Sequence, residues 1–408
     1  MLVFISDLHL AEEKVVSSIN LDELSARLSR LVADAFESGI TSVRIVLLGD
    51  IFELLKSPRW IEGNLRPWIM SAEVTKLVEE LVNSVLAANP KFGSLLRNLK
   101  ANYPNLDITY LPGNHDRLVN ETTSTTAREA LRRVIPLQGH STDTFDQIYL
   151  DLDHAVLAYH GHEFDKDNFS PNGEVVVGDV IVVELLTRLP KIVASRLGLY
   201  ETDRRLGFLH EVDNVLPQDM VGIGAWLAMH VRLLAKETDC NDCQAIVADG
   251  LKQCLDEIFL ALGRSVAKTS ERLVNLQKIA EKMLEGGDLL QFVGPITFKS
   301  EPSYIQHATL ALEQAGSVGS SEIFKFFVMG HTHHSKHEQF LFRNNGEMQP
   351  GVLLNSGTWR RVQRLIKGDA KSLAFSTFDE ATILVLYKGS EMGITNRRYE
   401  FHNFASGN

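Results

Sequence analysis

Two histidines one residue apart, His331 and His333, follow an apolar run closed by Gly330. At a strand end this spacing points both imidazoles to one side. Neutral imidazoles that converge in this way are a common means of holding a transition metal. Three earlier stretches repeat the construction: Asp7-Leu8-His9 after Leu2–Ile5, Gly49-Asp50 after Val43–Leu48, and Gly113-Asn114-His115-Asp116 after Ile108–Pro112. A looser fourth is His160-Gly161-His162 after Ala155–Tyr159. Together Asp7, His9, Asp50, Asn114, His160, His331 and His333 offer two carboxylates, one amide oxygen and four imidazoles. These are too many for one ion of coordination about four to six, and they suit two divalent ions sharing a bridging carboxylate. The mixed nitrogen and oxygen set favours Mn²⁺, with Fe and Zn²⁺ open, over Mg²⁺ or Ca²⁺. Two such ions about 3.5–4 Å apart clamp an in-line displacement and acidify a bridging water.

Elements that end in ligands must be strands whose carboxyl ends share one edge, where α/β sheets build their sites. Leu21 to Phe36 carries apolar residues at a helical period and is closed by Gly39, so residues 1–50 read as a right-handed strand–helix–strand unit. Further helices are expected over Glu73–Ala88 and Phe92–Ala101. Strand patterns recur at Gln147–Asp151, Gly351–Asn355, Ala381–Tyr387 and Arg397–His402. From about Val175 to Gly316 only helical periodicity remains, over Val180–Leu189, Ile192–Leu197, Met220–Lys236, Cys243–Leu262 and Val266–Leu284. The expected organisation is a core in two parts, residues 1–168 and 322–408, with a helical insertion or cap at 169–321. Trp60 and Trp68, in the loop after Asp50, either border the substrate cleft or pack that loop.

The formal net charge of −11 argues against a broad duplex-DNA footprint. Three cysteines, Cys240, Cys243 and Cys254, imply no disulfide framework and fit a reducing compartment. The amino-terminal segment lacks the basic region of a signal peptide, and no apolar run is long enough to span a membrane, so a cytoplasmic location is expected.

The set Asp7-x-His9, Gly49-Asp50, Gly113-Asn114-His115-Asp116, His160 and Gly330-His331-x-His333 resembles, in content and order, the motifs of the calcineurin-like metallophosphoesterases. The resemblance covers about residues 1–165 and 322–390. It implies an α/β fold in which two packed sheets are flanked by helices, with the motif loops at one edge and the helical block over or beside them. It implies an enzyme that hydrolyses a phosphomonoester, phosphodiester or pyrophosphate. Asp7, His9 and His333 would hold one metal; Asn114, His160 and His331 would hold the second, and Asp50 would bridge. His115 would protonate the leaving group, oriented by Glu53. Ser6–Leu10 and Gly49–Glu53 look most like the UDP-2,3-diacylglucosamine pyrophosphohydrolase branch, which inserts helices that hold acyl chains. That branch has Arg where this chain has His115. Phosphoprotein phosphatases have Arg where it has Leu54.

His162 reads as support for the ligands and as a substrate-binding candidate beside Asn114. Arg117, Arg360 and Arg361 could grip phosphate oxygens through the guanidinium fork, or serve as surface ion pairs. Apolar helical faces in the insertion could form a core, a homodimer seam or a lipid pocket. A DNA nuclease with the same motifs and a non-catalytic binding scaffold are the alternatives. A basic groove would favour the first, and missing ligands the second.

Overall fold

The computed structural model describes residues 1–407 apart from 14, 16–18, 138, 141–142, 216–219, 264–269, 286–303, 318–323, 368–372 and 392–395. The chain is α/β with two mixed sheets. In the first, β1 (Leu2–Ile5), β2 (Val43–Leu48) and β3 (Leu106–Leu111) are parallel neighbours. β10 (Leu373–Tyr387) pairs antiparallel with β1, with β11 (Arg398–Gly407) and with β9 (Arg361–Lys367). The second sheet has the order β4 (Ile148–Asp151), β5 (Val156–Tyr159), β6 (Phe326–Met329), β8 (Glu347–Asn355), β7 (Lys336–Asn344). Its three inner strands are parallel and its two edges antiparallel.

Alternation along the strands sets the layers. Leu2, Phe4, Val46 and Leu48 point from the first sheet into one apolar layer with Val156, Ala158, Phe326, Val328 and Leu354 of the second. Val3, Ile5, Ile45 and Leu47 face the other way, onto helices Leu21–Glu37, Ala72–Ala88 and Pro90–Asn102. The first of these helices buries Leu24, Leu28, Val32 and Ala35, and Asn20 caps it by accepting the Glu23 N–H. Each large side chain so buried contributes roughly 1.5–3 kcal/mol.

The expected helical block forms a core of its own from helices Arg188–Leu197, Met220–Thr238, Cys243–Leu262 and Glu271–Leu284. Residues 264–269, where the last of these was expected to begin, lie outside the described residues. Ile181–Leu186 is a π-helical turn. No strand lies between β5 and β6 among the described residues. Helix Ile305–Ser317 falls inside the stretch read as insertion, yet it packs on β7 and the outer face of the second sheet through Ala308 and Leu312.

β7 and β9 were not anticipated. β7 exposes His337, Gln339, Leu341 and Arg343, and its buried alternation begins late, at Phe340. Trp60 is fully buried and donates to the Leu54 carbonyl, so it packs its loop. Trp68 lies half-buried between the first core and the insertion. No helix among the described residues is long and apolar enough to cross a membrane.

Candidate metal centre

Parallel pairing brings the carboxyl ends of β1, β2 and β3 to one edge of the first sheet, and those of β5, β6 and β8 to one edge of the second. The two edges meet. Between the sheets the His331 N–H donates to Asp7 Oδ2 at 3.1 Å, and along the first sheet's edge the His115 N–H donates to Asp50 Oδ1 at 2.8 Å. Glycines permit the approach: a Cβ on Gly49 would lie 2.3 Å from His160 Nδ1, and one on Gly113 would lie 2.3 Å from Asp50 Oδ1. Among the described residues nine non-glycines have positive φ, and five of them are Asp7, His9, Asp50, His331 and His333. Left-handed backbone costs a non-glycine about 1–2 kcal/mol, and such strain concentrates at functional sites. Here it turns each strand-ending side chain inward.

Two groupings result. Asp7 Oδ1 and His333 Nε2 are 3.3 Å apart, and His9 Nε2 and His333 Nε2 are 3.2 Å apart. Asp50 Oδ2 lies 3.2 Å from His160 Nε2, and His331 completes that group. The same Asp50 oxygen is 3.8 Å from His9 Nε2, so one carboxylate faces both groups. All six side chains, and Asn114, are buried.

Glu53 organises the proton chemistry. Its Oε1 accepts the N–H groups of Leu55 and Lys56 at 3.0 and 2.9 Å, and its carboxylate meets His9 Nδ1 at 3.0 Å and His115 Nδ1 at 2.8 Å. Burial works against its charge, yet His115 and His9 hold Glu53 well below the usual carboxylate range. Burial also opposes the His115 cation, but Glu53 and Asp50 outweigh it and push His115 up to about 9. His9 goes the other way, lowered to about 4 by burial and by Arg360. It is therefore the neutral imidazole that metal ligation requires. His160 is pushed up to about 10, because Asp50 outweighs its burial. Asp116, unassigned in the sequence reading, accepts the N–H groups of Gly113, Ile51 and Phe52 at 2.6, 2.9 and 3.1 Å and ties the β2 and β3 loops together. Burial and Asp50 raise it to about 7.

The donor set fits divalent metal. His160 Nδ1 meets the Leu48 carbonyl at 2.8 Å. A carbonyl only accepts, so Nδ1 carries the hydrogen and, in the neutral ring, Nε2 presents its lone pair. That Nε2, Asp7 Oδ1 and Asn114 Oδ1 are buried with no hydrogen-bond partner in the protein. Orphaned buried polar atoms are costly unless something else satisfies them. Asp7 and Asp50 both stay ionised against burial through nearby histidines. A cation would satisfy the same field that draws the proton onto His160.

The other candidates separate. Arg117 is fully engaged: its guanidinium forms a two-pronged pair with Asp179, bonds Glu121 at 2.8 Å and donates to the Asn114 carbonyl at 2.8 Å. It braces the Asn114 loop. His162 is buried beside His160 and His331, at ring distances of 5.4 and 6.5 Å, and burial with those two rings keeps it well below the usual histidine range. Cys243 and Cys254 are buried within the insertion core.

Three contributions escaped the sequence reading. Asp165 takes the His331 Nε2 contact at 3.1 Å, and Arg272 of the insertion reaches Asp165 at 3.4 Å and Asp167 at 3.1 Å. Asn355, the last residue of β8, and Ser356 and Thr358 just past it are fully buried. Asn355 Nδ2 donates to the Gly330 carbonyl at 2.7 Å, Ser356 Oγ meets Ser6 Oγ at 2.7 Å, and Thr358 Oγ1 donates to the Asp7 carbonyl at 2.8 Å. That polar burst after an apolar strand repeats the signature of the ligand loops, so it was findable. Asp213, which no pattern marked, brings the insertion onto Lys56 and Arg360.

No protein-family model matches the chain, and no curated protein matches it.

Proposed function

We propose that this chain is a dinuclear-metal phosphoesterase with the calcineurin-like metallophosphoesterase fold, acting on a phosphate ester or pyrophosphate. The observation that carries the reading is Asp50, a buried carboxylate facing Asp7–His9–His333 on one side and His160–His331 on the other. Asp7, His9 and His333 would hold one ion, Asn114, His160 and His331 the second, and Asp50 both. Mn²⁺ fits the mixed donors, as do Fe and Zn²⁺. The bound pair would supply an activated water and neutralise charge on the phosphoryl group.

The residues supply the rest. Glu53 engages Nδ1 of His115, which leaves Nε2–H as the proton to give to the leaving oxygen as the P–O bond breaks. A cationic imidazole at neutral pH suits a general acid. The cavity, about 130 Å³, runs from Asp50, Asn114 and His115 to a wall of Ile181, Val182, Leu185, Val212, Ile223 and Leu276 of the insertion. That wall excludes water and suits an apolar substituent on the substrate. A cavity of about 130 Å³ with an apolar wall is too small for the long groove a nuclease needs, which favours the small-ester reading over the DNA one.

The test is elemental analysis of the purified protein together with a Mn²⁺-supplemented hydrolysis panel. The panel holds a nitrophenyl monoester, a bis-nitrophenyl diester, nucleotide-sugar pyrophosphates and DNA. Two metals per chain and hydrolysis abolished by chelation are expected. A chain that binds no metal and cleaves none of these would overturn the proposal.

A further inference from the structure

Three arginines were candidates for gripping phosphate, and the structure separates them. Arg117 is consumed by Asp179, Glu121 and the Asn114 carbonyl. Arg361 is paired to Asp379 and Glu211 at the rim. Arg360 is different: it is nearly buried, lines the same cavity as Asp50, Asn114 and His115, and binds through Nη2 alone. Nη2 reaches Asp213 Oδ2 at 2.9 Å and Asn214 Oδ1 at 2.9 Å, which leaves Nε and Nη1 without a partner among the described residues. Lys56 lines the cavity too, with its ammonium on the same Asp213 oxygen at 2.9 Å and on the His210 carbonyl at 3.1 Å.

Resting on the phosphoesterase reading, we infer that Arg360 and Lys56, clamped together by Asp213 of the insertion, form an oxyanion subsite for the phosphoryl oxygens of the substrate and for phosphate as product. Two largely buried cations share one ion-paired carboxylate, so the cluster carries a net positive charge on the wall of the cavity. Burying unpaired charge is costly, and an anion is the group that relieves it. Arg360 keeps donors free in a planar fork, the geometry that matches two oxygens of one phosphate. Asp213 holds the fork before the ligand arrives. A phosphoester placed here would have its leaving oxygen beside His115, which lines the same cavity.

The experiment is calorimetric titration of inorganic phosphate into the parent chain and into R360Q, K56Q, R360K and R361Q, each with and without Mn²⁺. Mn²⁺ is titrated separately into every variant. The parent is expected to bind phosphate, with affinity falling about 10- to 100-fold in R360Q, the range for losing charge-assisted hydrogen bonds. R360K, which keeps the charge and loses the fork, is expected to fall less, and R361Q to match the parent. Mn²⁺ affinity is expected to stay unchanged in all of them. Parent-like phosphate binding in both R360Q and K56Q, or no phosphate binding by the parent, overturns the subsite. If R360Q does not fold, K56Q and R360K decide by the same comparison. Failure to bind Mn²⁺ would instead sink the dinuclear reading, while the metal-free phosphate titration would still decide this one.

Discussion

Gly49→Ala tests whether the strand-end glycines are there to let the two sheets' ligand loops meet. Gly49 has φ +81°, and a Cβ there would sit 2.3 Å from Nδ1 and 2.4 Å from Cγ of His160. Left-handed backbone costs alanine about 1–2 kcal/mol. Forcing a methyl into a packed site adds about 1–3 kcal/mol. The imidazole must also leave the Leu48 carbonyl it holds at 2.8 Å, a loss of about 0.5–1.5 kcal/mol. The sum, roughly 2.5–6.5 kcal/mol, is a large share of the ~5–15 kcal/mol that holds a typical domain. Gly39 supplies the control, because its φ is +88° and a Cβ there meets nothing within 4 Å. Gly39→Ala should therefore show the backbone cost alone. Urea unfolding of both variants separates the two contributions. Mn²⁺ titration adds a readout specific to the site: displacing His160 should weaken binding by at least about tenfold in Gly49→Ala and not at all in Gly39→Ala. Matching urea midpoints and matching Mn²⁺ affinities in the two variants would refute the reasoning.

His115→Ala should keep both metals and lower turnover by roughly 10²–10⁴-fold, with a smaller loss for nitrophenol leaving groups, which need little protonation. Equal loss for good and poor leaving groups would argue against the acid role. Asp50→Asn should lose at least one metal by elemental analysis and recover little activity with added Mn²⁺, whereas His333→Ala, lacking a ligand to one ion only, should be rescued more readily. Asp213→Asn leaves Lys56 and Arg360 buried without their carboxylate and should cost about 3–5 kcal/mol in urea unfolding at pH 7. Burial alone would raise Asp213, but Lys56 and Arg360 hold it well below the usual carboxylate range. Its stabilisation is thus fully present above the ordinary value of about 4 and lost progressively as pH falls from there towards its own depressed value, so the gap between the parent and Asp213→Asn should begin to narrow by about pH 3. A gap that does not narrow on acidification would count against the pairing.

Strand-end ligands were legible because one local rule serves both structure and chemistry. A buried parallel strand is written as a continuous apolar run, and the polar burst that ends it can only be a loop at the sheet edge. Asp7, Asp50, Asn114 and His331 each follow this rule, so their convergence needed only the parallel pairing of β1–β3 and of β5, β6 and β8. β7 broke it, since its inner face carries half-buried Lys336 and Glu338 before Phe340, and its exposed face carries Leu341 among His337, Gln339 and Arg343. The Asn345-Gly346 pair after it, left-handed at both positions, is the hairpin signal that marks such a strand. The role of Asp116 was hidden for another reason, whereas Asn355 follows the same strand-end rule. Asp116 accepts backbone hydrogen bonds across loops distant in sequence, and no spacing rule encodes that.

The insertion illustrates a stricter limit. Its helical period predicts that Leu185 and Leu276 are buried, and says nothing of whether they are buried against other side chains or against a ligand. The structure does both: Leu185, Val212 and Leu276 belong to the insertion core and also line the cavity. What aligns that wall with the ligand loops is a set of ion pairs between the insertion and the core, Asp179–Arg117, Glu184–Arg66, Asp213–Lys56 and Arg272–Asp165. Each joins residues at least 62 positions apart in sequence, and such pairs are chosen by geometry that emerges only after folding. Three of the four bring an insertion carboxylate to a core cation, so the core face beneath the insertion is basic although the whole chain is acidic. Net charge argued against a broad nucleic-acid surface and could not reveal a local cationic wall. That wall lies where the proposed phosphoryl group would be held, which is why strand ends suggest a candidate reaction class and say nothing of substrate recognition.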